Sequence, residues 1–136
     1  QDAKQRGFDE AILLDQSGDV SEAPGENIFL VKNNELITPP LNSSALDGIT
    51  RKSIITIAKD LGLKSKIRKI RKTELKLADE VFLSGTAAEI TPVIKIDKKK
   101  IGDAKVGNIT KLLITAYSNI VMNKNKKYSH WLTKVY

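Results

Sequence analysis

Three short segments of this 136-residue chain carry groups that do chemistry. The first is Ser84-Gly85-Thr86-Ala87-Ala88-Glu89, which follows the apolar run Val81-Phe82-Leu83. Gly85, Ala87 and Ala88 have little or no side chain, so a ligand can approach their backbone closely. Successive N–H groups in such a turn form a concavity for an anion. The second segment is Leu46-Asp47-Gly48-Ile49-Thr50-Arg51, at the start of a stretch with helical apolar spacing. A helix N-terminus offers free N–H groups and the positive end of the dipole, which suits a phosphate. The Thr50 hydroxyl adds a donor there; threonine at such a place equally serves as a plain N-cap. The third is Ser21-Glu22-Ala23-Pro24-Gly25-Glu26-Asn27. A carboxylate held at a strand edge pairs with a cationic ring nitrogen, and the same residues also read as a hairpin with two solvated acids.

These segments need elements to hold them, and the spacing predicts an α/β order. Ile54, Ile55, Ala58 and Leu61 recur at three- and four-residue intervals. They predict a helix over 50–61 closed by Gly62. Strands are expected over 11–14, 20–22, 28–31 and 36–38, with turns at 16–19 and at Asn33-Asn34. A strand near 64–70 would pack Leu63, Ile67 and Ile70 and turn its charges to water. A short helix near 74–78 precedes strands over 81–83 and 93–96, and residues 98–100 with Gly102 read as a turn. A last helix starts near Asn108 as N-cap, with Leu112, Leu113, Ala116 and Ile120 on one face. The polar tail beyond Asn123 is expected to be held by Trp131 and Val135 alone.

Composition narrows the function. The length is that of one domain, and 40% hydrophobic with 29% charged residues is ordinary for a soluble globular one. No apolar run approaches a membrane span, so no membrane partner is expected. Without cysteine there is no disulfide or thiolate metal site, which fits the cytoplasm, and the lone His130 cannot build a histidine cluster, so no metal is expected. The net charge of +7 gathers at 64–72, at Lys98-Lys99-Lys100 and at Lys124, Lys126 and Lys127. Such clusters suit nucleic acid, and a noncatalytic basic domain is the alternative of another class. Aromatics are only 5% of the chain and do not interleave with the first two clusters as stacking platforms would. The charge is therefore read as a solvated face, with no nucleic-acid partner.

In this order, the three segments resemble the fold-type IV pyridoxal-phosphate enzymes, and among them the branched-chain amino-acid aminotransferases. The resemblance runs from about Gly7 to about Ile120 and includes Val106-Gly107-Asn108-Ile109-Thr110. It implies an α/β fold with a mixed sheet curled into a barrel-like body flanked by helices. It implies pyridoxal 5'-phosphate as cofactor, with Glu22 at the pyridine nitrogen, Leu46 against the ring, and Gly48, Ile49 and Thr50 at the phosphate. Thr86 matches a threonine near the phosphate and beside the substrate, and the backbone of Ala87 and Ala88 matches the turn that receives the substrate carboxylate. The partners implied are leucine, isoleucine or valine, 2-oxoglutarate and other 2-oxo acids, within a homodimer or higher oligomer. D-amino-acid transaminase and aminodeoxychorismate lyase share the fold and stand as alternatives; Ser84 to Val93 favours the branched-chain branch.

The family's Schiff-base lysine and small N-terminal domain correspond to sequence upstream of Gln1, so residues 1–136 are expected to form the C-terminal cofactor-binding domain, with no catalytic residue of their own. Lys4 lies in a charged helical turn beside Arg6, in the wrong place to substitute. A group that forms a covalent link and moves the substrate proton cannot be spared. The purified 136-residue chain is therefore expected to show no transamination; measurable amino transfer to 2-oxoglutarate would overturn this expectation.

Overall fold

The computed structural model describes residues 13–14, 18–23, 26–40, 48–85, 89–96 and 99–121. The expected N-terminal helical turn, the turn at Gln16 and Ser17, and the C-terminal tail lie outside them. Strands β1 (Leu13–Leu14), β2 (Asp19–Ala23), β3 (Glu26–Lys32) and β4 (Glu35–Thr38) form an antiparallel meander. The β3–β4 connection is Asn33-Asn34, both at positive φ (52° and 61°). That is a two-residue turn whose twist matches the flanking strands, and asparagine tolerates it better than other side chains.

Strand β3 is the centre of the sheet. One of its edges takes β2 and then β4, while the other takes β7 (Glu80–Gly85) along five residue pairs from Asn27↔Ser84 to Val31↔Glu80. Its side chains alternate between two cores. Ile28 and Leu30 join Val20, Ile70, Val81 and Leu83 on one face. Phe29 and Val31 join Leu36, Ile54, Phe82 and Leu113 on the other. Phe29 lies opposite Phe82 with the rings stacked, centroids 4.9 Å apart.

Helix α1 (Ile49–Asp60) connects β4 to β5 (Lys64–Ile67), the parallel pair that a helical crossover permits. It buries Ile54, Ile57 and Ala58. Gly62, at φ 78°, ends the helix as expected. Its N–H donates to the Lys59 carbonyl (3.0 Å) and the Leu63 N–H to the Ala58 carbonyl (2.9 Å), the paired bonds of a Schellman motif. Leu61, expected on the buried face, is instead the exposed C-cap.

The single strand expected over 64–70 is two. Strand β5 pairs with β4, and after Arg68 and Lys69 the chain resumes as β6 (Ile70–Arg71) on β2. The break lets one segment change partners, so the pairing path from β2 through β3 and β4 returns to β2. This curls the sheet in the barrel-like sense. Ile70 is fully buried, whereas Ile67 is 55% exposed, because β5 lies at the edge with all four residues exposed. Lysines on such an edge discourage pairing with another chain.

Helix α2 (Lys72–Leu77) inserts Leu75 into the first core. Strand β8 (Glu89–Val93) pairs with β7 from Val81↔Val93 to Gly85↔Glu89, four residues earlier than the sequence suggested. A small hairpin of β9 (Lys95–Ile96) and β10 (Lys99–Lys100) follows, so two of the lysines expected in a turn are in a strand. Helix α3 (Asn108–Val121) packs on α1 and buries Leu113 and Ile120, while Leu112 is exposed.

Asn108 does not cap α3. The Glu80 carboxylate does: it accepts from Thr110 N (2.7 Å), Ile109 N (3.3 Å) and Thr110 Oγ1 (2.7 Å). A Cβ at Gly107 would collide with the same carboxylate. Hydrogen bonds to a charged group contribute about 1.5–3 kcal/mol each when buried and less when partly exposed, and a lost cap costs ~1 kcal/mol. Glu80→Ala is expected to destabilise the protein by about 2 kcal/mol, read from denaturant unfolding with unchanged slope.

Arg68 grips Glu74 through two nitrogens (3.2 and 2.9 Å), and the Arg71 N–H donates to the same carboxylate. The hydrogen bond from Arg68 first, then the Arg71 N–H, hold the Glu74 carboxyl below its usual value; burial opposes this. The contribution is therefore full above the unfolded carboxylate range and fades as pH falls through the lowered folded value. For a pair this exposed it amounts to less than about 1 kcal/mol. The stability gap between wild type and Glu74→Gln should be constant from neutral pH down to the unfolded carboxylate range, then close below it. A gap that widens on acidification would contradict this assignment.

Candidate functional site

Two helix N-termini face the β3–β7 sheet, and the fold treats them differently. That of α3 is filled by Glu80. The N-cap residue of α1 has no side chain to cap with, and no acidic residue stands in its first turn. Its N-cap is Gly48, and the first helical bond runs from Lys52 N to the Gly48 carbonyl (3.2 Å). Thr50 therefore does not occupy the N-cap position. It is the second residue of the helix, buried, with its hydroxyl 3.4 Å from the Tyr117 hydroxyl of α3. First-turn N–H groups with a hydroxyl beside them suit an anion.

The approach to this turn is fixed from below. The Arg51 guanidinium is buried and donates to the Pro39 carbonyl (2.9 Å). Thr38 Oγ1 donates to the Ile28 carbonyl (2.7 Å), where the edge of β3 passes from β2 to β4. Each bond satisfies a carbonyl that the loop after β4 would leave without a strand partner.

The strand register brings the three sequence segments together. Glu22 of β2 is opposite Asn27 of β3, Asn27 is opposite Ser84 of β7, and Ser84 is opposite Ile90 of β8. Asn27 and Ser84 are both buried. By alternation they share the face of Phe29 and Phe82, the face covered by α1 and α3. Asn27 Oδ1 occupies the space a Cβ at Gly48 would need. One row across four strands thus holds Glu22, abuts Gly48 through Asn27, and reaches Ser84, one residue before Gly85. Gly85↔Glu89 closes the β7–β8 pairing at that end of the row.

Of the expected site residues, Gly48 and Thr50 are found at the helix start. Glu22 and Ile49 have the expected backbone places in β2 and at the first position of α1. Leu46, Thr86, Ala87 and Ala88 lie outside the described residues. Four contributors were missed: Asn27, Ser84, Arg51 and Tyr117. Asn27 left a trace, since asparagine is disfavoured in buried strands and this one opens an apolar run. Ser84 is 0% exposed and its Oγ has no hydrogen-bond partner among the described residues. Tyr117 left no signal, because its role depends on how α3 lies on α1.

Residues 1–96 match the family model of amino-transferase class IV. The chain is 51% identical over 136 residues to the probable branched-chain-amino-acid aminotransferase of Aquifex aeolicus (strain VF5), covering 99% of this chain and 44% of that protein. It superposes on the crystal structure of the branched-chain aminotransferase from Thermoproteus uzoniensis with norvaline at a TM-score of 0.94, with 48% identity over 99% of this chain and 44% of that one. The PLP-form of the Thermobaculum terrenum enzyme gives a TM-score of 0.94 and 40% identity over 97% of this chain and 43% of that one. The chain thus spans less than half the length of these relatives. With the family model matched over most of its length and the fold reproduced at this identity, the chain belongs to the amino-transferase class IV family.

Proposed function

We propose that this chain is the cofactor-binding domain of a pyridoxal-phosphate-dependent transaminase. Its intact form would move the amino group of leucine, isoleucine or valine to 2-oxoglutarate in the cytoplasm, as a homodimer or higher oligomer. The observation that carries this reading is the single row linking Glu22, Asn27 and Ser84, with Gly48 seated on it. The backbone of Glu22, the first turn of α1 at Gly48 and the end of β7 at Gly85 are neighbours along it, which supports one shared site.

The donors present fit the phosphate. Gly48, Ile49 and Thr50 would hold it through first-turn N–H groups and the Thr50 hydroxyl. The contrast with α3, where Glu80 supplies the anion internally, supports this. Glu22 would face the pyridine nitrogen, Leu46 the ring, and Thr86, Ala87 and Ala88 the substrate carboxylate and its aliphatic side chain. When bound, the cofactor serves as an electron sink for the substrate carbon losing its proton. A carboxylate at Glu22 would keep the ring nitrogen protonated and so maintain that capacity.

Titration with pyridoxal phosphate, followed by absorbance and fluorescence, is expected to saturate for wild type. The Glu22→Gln, Thr50→Ala double variant should bind at least about tenfold more weakly, the loss of one or two charge-assisted bonds. Equal affinity of the two proteins would remove Glu22 and Thr50 from the site. For the intact enzyme, activity toward L-leucine but not D-alanine is expected. The reverse preference would favour the D-amino-acid transaminase alternative.

A further inference from the structure

The backbone at Gly48 is ordinary. Its φ of −86° and ψ of 138° are open to any L-residue. Conformational freedom therefore does not explain a glycine there. The neighbour does: a Cβ at position 48 would fall on Asn27 Oδ1. The Asn27 main chain is held by pairing on both strand edges, with Glu22 and with Ser84, and its side chain is buried, which leaves it little space to swing into. An apolar residue would suit the core better at this point of β3, since asparagine is disfavoured in strands and burying its amide costs free energy.

We infer that Asn27 is a positioning residue for the anion-binding turn. Its side-chain carbonyl is the stop against which the first turn of α1 seats. It sets the height of the first-turn N–H groups above the Glu22–Asn27–Ser84 row, and Gly48 is the matching recess. The inference rests on the proposal that this turn holds the cofactor phosphate, and names the residue that sets its geometry.

The test is a rescue. Gly48→Ala in the otherwise unchanged protein should shift the backbone amide resonances of Ile49, Thr50 and Arg51. It should also weaken pyridoxal phosphate binding by at least about tenfold, since misplacement by about 1 Å has effects of this order or larger. Adding Asn27→Ser shortens the stop. The Gly48→Ala, Asn27→Ser protein should return those amides toward their wild-type positions and bind to within about threefold of the Asn27→Ser protein, a coupling that independent sites would not show. Asn27→Thr, a better strand former of similar reach, replaces Asn27→Ser if the latter does not fold.

Amides left in place by Gly48→Ala, or a displacement that shortening Asn27 does not reverse, would overturn the inference. The ligand-free amide spectra judge the positioning, and the titration of wild type judges the phosphate reading. Coupled amides without any binding by wild type would uphold the first and sink the second. Saturable binding with uncoupled amides would do the opposite.

Discussion

From Asn27 to Val31, strand β3 has no side that faces water, and that constraint governs the molecule. A half-exposed strand must keep only one face apolar. This one must match two cores at once, with Ile28 and Leu30 against one and Phe29 and Val31 against the other. A slip of one residue against β7 would exchange the faces of β3, part the stacked Phe29 and Phe82 rings, and move the side chains of β3 to the wrong core. Because the register cannot slip, Glu22, Asn27 and Ser84 stay in one row. The geometry of the site follows from the packing of the sheet's centre.

The two longer helices lie on the same face of that sheet, yet their N-termini differ. The start of α3 is satisfied inside the fold by Glu80, whose carboxylate Gly107 leaves room for. The start of α1 has a glycine at its N-cap and no acid in its first turn, and a buried threonine hydroxyl stands beside it. A capping side chain at position 48 would add only about a few tenths of a kcal/mol over glycine, so little stability is given up there. Ser84 differs, since a buried hydroxyl without a partner among the described residues is destabilising where it stands. There a local rule of stability is broken, in the row where a site for a ligand is proposed.

Much of the fold was legible from local spacing. The Asn33-Asn34 turn, the α1 helix with its Gly62 stop, and the apolar runs of β3 and β7 depend on residues close together in the chain. The errors share a cause. Ile67, Leu61 and Leu112 are apolar residues at plausible spacing that end up exposed, because burial depends on which neighbour arrives and not on spacing. The segment from 64 to 71 looked like one strand, since nothing local marks where a strand exchanges β4 for β2. Asn108 looked like an N-cap because the true cap, Glu80, comes from nearly thirty residues earlier.

The sequence by itself determined the elements, the small-residue turns and the residue types able to hold an anion and a cationic ring, because these reside in short windows of chain. Only the tertiary structure decided that Glu22, Asn27 and Ser84 stand side by side, that Gly48 is a recess for Asn27, that Tyr117 meets Thr50, and that Glu80 fills the start of α3. Those are relations between distant segments, and the two-sided burial of β3 and β7 sets them through register and packing that no local window contains.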